Sequence, residues 1–192
     1  MTTETIAGAV PDTREMFLRR AIAVTLGALV VALSAQVEIP LGFSPIPITL
    51  QGAALILVGL VLGPRYGALA LVTYVTMGLA GLPVFAGGSF GFIKLLGPTG
   101  GYLLAFPLAA WVAGYIAVYA TAIPTAPRYL LGALAAMITV HLGGWAWLSI
   151  VTHDPRTAFA VGVVPFVLVD LTKVVLAAAI GLGLGGRVRR IL

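Results

Sequence analysis

Gly101-Tyr-Leu-Leu-Ala-Phe-Pro-Leu-Ala-Ala-Trp-Val-Ala-Gly-Tyr-Ile-Ala-Val-Tyr-Ala-Thr-Ala-Ile123 runs for 23 residues without a charged side chain. About twenty such residues span the hydrocarbon layer of a bilayer at a rise of about 1.5 Å each. After the short connection Pro124 to Arg128, a second run of the same kind extends from Tyr129 to Val151. In lipid a backbone must satisfy its own hydrogen bonds, so both runs are expected as membrane-crossing helices.

The rest of the chain repeats the pattern. Ala21 to Val37 follows Arg19-Arg20, and Ile48 to Leu62 and Tyr66 to Leu82 are separated by Gly63-Pro64-Arg65. A last run is expected from Pro165 to Leu184, with proline suited to a first helical turn, where a missing N–H is harmless. The second and third runs are short, which implies tilt, local thinning or burial against neighbours. Of the 192 residues, 60% are hydrophobic and 9% charged, against about 25% charged in soluble domains. The fold expected is an all-α integral membrane protein with six transmembrane helices and long outward-facing loops. Residues 1–20 read as a cytoplasmic tail, and 21–192 as the six-helix substrate-binding domain. Glu4, Pro11, Asp12 and Glu15, with no apolar core ahead of a cleavage site, argue against a signal peptide.

Charge gives the orientation. With six crossings, Arg14, Arg19, Arg20, Arg65, Arg128, Arg187, Arg189 and Arg190 fall on the side of the termini. Lys94 and Arg156 fall opposite, and Lys173 lies inside a span. That bias predicts cytoplasmic termini and a multi-pass protein of the cytoplasmic (inner) membrane. Basic residues confined to chain ends and short loops do not make a nucleic-acid surface, so the formal charge of +5 is membrane-flanking charge. The absence of cysteine excludes thiol catalysis and thiolate metal sites. No catalytic residue, metal or cofactor is expected: one membrane histidine and few membrane carboxylates leave little from which to build an enzyme.

The outward connections Glu38–Pro47, Pro83–Gly100 and Thr152–Val164 are long, which marks the outer face as the working one. On the sixth span Asp170 and Lys173 are three apart and share a helical face. Each charge is costly in a membrane, so the pair either locks helix packing or meets a small polar ligand. Counted from Pro165, Asp170 lies about 8 Å into the helix, deep enough for the floor of a pocket. The stretch Pro83 to Tyr102 interleaves Gly87, Gly88, Gly91 and Gly97 with Phe85, Phe90, Phe92 and Tyr102. Its glycines permit close backbone approach and its rings offer flat walls; alternatively, the loop caps the bundle. It has no Gly-Lys-Ser/Thr ending and follows no strand, so it is not a phosphate loop.

Pro40, Pro45 and Pro47 stiffen the first outward loop into a lid-like extended segment. Gln51 beyond it offers a neutral donor and acceptor, for a ligand or for an interhelical bond. His141 is a lone membrane histidine, and a hydrogen bond between helices accounts for it. Trp111, Trp145 and Trp147 read as interface or packing residues. Ala28 and Ala32, four apart, permit close approach of a helix, from this chain or a partner.

Pro45-Ile-Pro-Ile-Thr-Leu-Gln51, Leu62-Gly-Pro-Arg-Tyr-Gly67, Gly81-Leu-Pro-Val-Phe-Ala-Gly-Gly88, Gly97-Pro-Thr-Gly-Gly-Tyr102 and Pro165-Phe…Asp170-Leu-Thr-Lys173 together resemble the BioY family. These are the biotin-specific S components of energy-coupling-factor (ECF) transporters. The resemblance runs from Ala21 to Arg190. It implies a six-helix protein that captures biotin from outside and partners with a transmembrane coupling subunit and two ATPase subunits. It also implies ligand contacts from the first loop, the glycine loop and helices four and six. Asp170 and Lys173 align with the family's helix-six motif, and Lys94 is the candidate basic contact in the glycine loop. Gln51, Phe85, Gly88, Phe92 and Tyr102 complete the expected ligand set, although Gly87 and Gly88 carry no polar side chain. Ala28 and Ala32 look like the family's docking surface for the coupling subunit. The residues leave open whether the chain works alone, as a homo-oligomer, or only with partners and membrane lipid around it. The competing expectation is a self-sufficient proton- or ion-coupled secondary transporter for a small carboxylated solute. That reading asks for repeated halves, which the sequence does not display.

Overall fold

The computed structural model describes residues 13–192. Its helices are α1 (Thr13–Ala35), α2 (Gln51–Leu79), α3 (Phe92–Leu96), α4 (Gly100–Tyr119), α5 (Thr125–Thr152), α6 (Pro155–Gly162) and α7 (Val167–Arg189). The strands among the described residues are β1 (Glu38–Ile39) and β2 (Ile48–Thr49), a two-residue antiparallel ribbon that closes the proline-rich loop. Five helical stretches among these residues are long and apolar enough to cross a membrane. The helical membrane architecture read from the sequence is therefore present. Thr13 to Arg20, read as the end of a tail, form the opening turns of α1. Residues 1–12 of that tail lie outside the described residues.

Helix α2 doubles back on itself. Gly63 has φ 79° and ψ −179°, a conformation open essentially to glycine alone, and Pro64 follows it. Gln51 then donates its Nε2 hydrogen to the Tyr74 hydroxyl at 2.6 Å. A straight helix would hold those residues about 35 Å apart. Gly67 lies so close to Gly59 that a Cβ on it would stand 2.9 Å from the Gly59 Cα. The break falls inside the Gly63-Pro64-Arg65 connection that separates two apolar runs in the sequence.

Proline 64 also leaves an account to settle. The Leu60 carbonyl would bond the N–H of residue 64, and proline has none. Arg189, near the end of α7, donates instead to the Leu60 carbonyl and to the Tyr129 hydroxyl. On the same end of the bundle, Arg20 donates to the Leu192 carbonyl at 2.8 Å and lies over the Tyr66 ring. Replacing Arg189 with methionine strands a buried carbonyl. The expected loss is about 2 kcal/mol of stability, read as a lowered melting temperature in detergent.

Small residues set the helix spacing. Gly59 packs on the Ala110 backbone, and Gly114 packs on the backbone of Gly63 and Pro64 at the crest of the α2 hairpin. Ala28 and Ala32 take part in the same close packing, and this corrects the reading of them as a docking surface. They are 0% and 7% exposed and belong to the chain's own core, on the face where α1 meets α2. A small-residue pair marks a close approach without saying whose helix approaches. The outer face of α1 carries Leu26, Leu29 and Leu33 instead.

The loops expected to face outward are more structured than their composition suggests. Asp154 caps α6, which forms inside the segment read as loop. Its carboxylate accepts from the Thr157 hydroxyl at 2.6 Å and the Arg156 N–H at 2.9 Å, with Pro155 in the first turn. Those two bonds hold the Asp154 carboxyl below the usual carboxylate range. Pro165 does not open the last long helix. It lies in a 3-10 turn, Val164–Phe166, and α7 begins at Val167. Asp170 is thus in the first turn of α7, shallower than the depth counted from Pro165, and there the helix dipole favours its negative charge.

Candidate functional site

The loops after α1 and at the start of α4, with the helix ends beside them, line a cavity of about 290 Å³. Its chemical centre is a carboxylate shared by two helices. Asp170 accepts from Lys173 Nζ at 2.7 Å on one oxygen, and on the other is bonded to His141 Nε2 at 2.9 Å. Asp170 and Lys173 are 6% and 8% exposed. Gly52 packs beside this centre: a Cβ on it would press on Met137 Cε at 3.1 Å and touch Lys173 Cδ at an ordinary 3.7 Å.

Above this centre the walls are largely apolar, built by Phe85, Leu103, Phe106, Met137, Val140 and Phe166. Phe85 is held edge-on to Tyr74 at 5.6 Å, in space left by Gly78. Tyr102 lines the cavity while donating its hydroxyl hydrogen to the Gly162 carbonyl at 2.7 Å. Pro45, Ile46 and Pro47 of the first loop contribute another wall, and Ser44 ties that loop to the Val161 carbonyl at 2.8 Å. The glycine loop is anchored by Trp147, which donates to the Gly97 carbonyl at 2.9 Å. Lys94 and Glu38 line the loop side, and the ion pairs among the described residues do not include either of them.

Six of the eight expected ligand residues therefore come together at the cavity: Asp170, Lys173, Lys94, Gln51, Phe85 and Tyr102. Gly88 and Phe92 do not. Phe92 opens α3 and is 66% exposed, while Gly88 sits in a 3-10 turn beside Gln36 and is not among the lining residues. Phe90 is likewise exposed and off the wall. Gln51 spends its amide inside the protein, donating to Tyr74 and accepting from Thr49 at 3.1 Å. The amide thus bridges the two arms of α2 while lining the cavity.

The BioY family model matches residues 4–190. The chain belongs to the BioY family. Similar curated members include the "Biotin transporter BioY" of Thermotoga maritima, 41% identical over 167 residues, covering 87% of this chain and 96% of that one. The "Probable biotin transporter BioY" of Pyrococcus horikoshii is 40% identical over 166 residues, covering 85% and 96%. A crystal structure of the S-component for biotin from an ECF-type ABC transporter superposes with a TM-score of 0.81. It is 28% identical and covers 90% of this chain and 93% of its own. BioY is a family of transporters, so this member is a membrane transport protein and not an enzyme.

Several residues of the BioY cavity escaped the sequence reading. Glu38, Thr49, Ser89, Thr99 and Phe166 all line it. Each sits in or beside a loop, where no periodicity tells inward from outward. His141 was placed correctly between helices, but its partner is the cavity carboxylate itself, 29 residues away in sequence. The three tryptophans pack or anchor as expected: Trp111 stacks on Tyr115 at 4.8 Å, and Trp145 donates to the Pro155 carbonyl at 3.0 Å.

Proposed function

We propose that this chain captures biotin at the outer face of the cytoplasmic membrane as the S component of an ECF-type transporter. The observation that carries the reading is the buried Asp170–Lys173 pair in a cavity walled in part by Phe85, Leu103, Phe106 and Met137, in a chain whose relatives are named biotin transporters. An ionised carboxylate has about four lone-pair sites and an ammonium three hydrogens. After their mutual bond and the bond to His141, Asp170 can still accept and Lys173 can still donate. A cyclic urea matches that pattern, with an N–H for Asp170 and a carbonyl for Lys173. Phe85, Phe106 and Met137 suit the thioether ring, and Lys94, outside the ion pairs among the described residues, suits the carboxylate tail. Ligand pockets run from about 300 Å³ upward, so this cavity suits a compact molecule.

The same reading has the chain crossing the membrane six times, each arm of the α2 hairpin counting as one crossing, with both termini in the cytoplasm. The arginines that gather with Leu192 and the Gly63 turn at one end support this orientation. The chain carries no phosphate-binding loop, so release inside depends on a coupling subunit and ATPase subunits. It has no resident cofactor, and lipid is its other neighbour. Calorimetric titration in detergent tests the assignment: one equivalent of biotin should bind tightly, and thiamine and riboflavin should give no heat. Binding of another vitamin in preference to biotin overturns it. Uptake should require coexpressed coupling and ATPase subunits; gradient-driven accumulation without them favours the ion-coupled carrier.

A further inference from the structure

His141 stands in the wall between the cavity and a second, almost wholly apolar cleft of about 290 Å³ bounded by α5, α6 and α7. On the cleft side its neighbours include Leu134, Ile138, Leu142, Phe159 and Leu171. Its Nδ1 is buried and has no hydrogen-bond partner among the described residues. Asp170 is therefore the one hydrogen-bond partner of the ring among the described residues. A carboxylate oxygen can only accept, so Nε2 carries a hydrogen and donates it to Oδ2.

The arrangement has a geometric meaning. Rotation about the last bond of an aspartate is soft, with a broad, roughly two-fold profile. Lys173 bonds only Oδ1, lies on the same helix, and ends a flexible stem. That bond alone leaves the carboxylate plane free to turn. A second donor on Oδ2, from the other helix, fixes the plane and so fixes where the remaining lone pairs point. We propose that His141 is a positioning residue for ligand recognition: its Nε2–H orients the Asp170 carboxylate toward a ligand N–H, and it makes no ligand hydrogen bond itself. This rests on Asp170 being the acceptor for biotin.

Biotin titrations of purified full-length variants test it, each paired with a thermal melt. His141→Leu should weaken binding by at least about tenfold, the scale of one hydrogen bond to a charged group. His141→Gln places an amide N–H near the Nε2 position and should stay within about threefold of the parent. A role in packing alone predicts the opposite order, with the apolar side chain tolerated. In a cycle with Asp170→Asn, the added His141→Leu change should cost less than about twofold, because its effect passes through the missing carboxylate. If His141→Leu does not fold, the His141→Gln rescue and the His141→Asn variant, whose shorter amide falls short of Oδ2, decide between the same outcomes. Parent-like binding by His141→Leu, equal loss in His141→Gln, or full additivity in the cycle overturns the inference while biotin capture stands. A parent chain that does not bind biotin overturns both.

Discussion

Asp170→Asn is expected to bind biotin at least tenfold more weakly than the parent in a detergent titration. The amide keeps the shape and removes the charge and one acceptor oxygen. It can accept from either His141 or Lys173, but its NH2 group then meets the other donor. A ligand N–H loses a charge-assisted partner, and such bonds contribute about 1.5–3 kcal/mol, so tenfold is the lower end of the effect. Removing one member of a buried pair also leaves an uncompensated charge, so the melt must accompany the titration. The joint replacement Asp170→Leu with Lys173→Met removes both charges together and separates the two roles. A pair that only holds helices together tolerates such a swap with little loss of stability. Full stability with no biotin binding assigns the pair to the ligand; retained binding would falsify that assignment.

The largest effect on folding is expected at Gly114. A Cβ there would stand within 2.7 Å of the Gly63 and Pro64 backbone and the Gly59 carbonyl oxygen. Backbone at a helix break cannot step aside as a side-chain tip can. Valine at this position must push α4 off the crest of the α2 hairpin, with a loss above about 3 kcal/mol, since overpacking against a rigid wall is among the costliest single changes. The readout is the yield of monodisperse protein and its melting temperature. Gly186→Ala is the control, because a Cβ there meets nothing within 4 Å and an added methyl suits a helix. Equal melting temperatures for the two variants would show that α4 does not bear on the hairpin crest this closely.

The spans were legible because lipid imposes a composition on them. The α5 run predicted from Tyr129 to Val151 lies within Thr125–Thr152, and the break at Gly63 could be read from Gly-Pro-Arg. The Asp170–Lys173 pair was legible because two charges three residues apart inside an apolar run have few explanations. The loops were not. Whether Phe85 points in and Phe92 out depends on the 3-10 turn at Ala86–Gly88 and on the Trp147 bond to Gly97, contacts between segments far apart in sequence. Helix α6 did leave a local signal, Asp154-Pro155 with Thr157, a helix cap inside a segment read as connection. Ala28 and Ala32 misled because spacing records the closeness of a neighbour, and the neighbour proved to be the chain's own α2.

The cover of the cavity is stitched to one short helix. Ser44 from the first loop and Tyr102 from α4 both end on carbonyls of α6, at Val161 and Gly162. Each bond joins a wall of the cavity to that helix. Loosening either stitch should therefore shorten the dwell time of the captured vitamin while arrival from solution changes little, placing the control of affinity in escape.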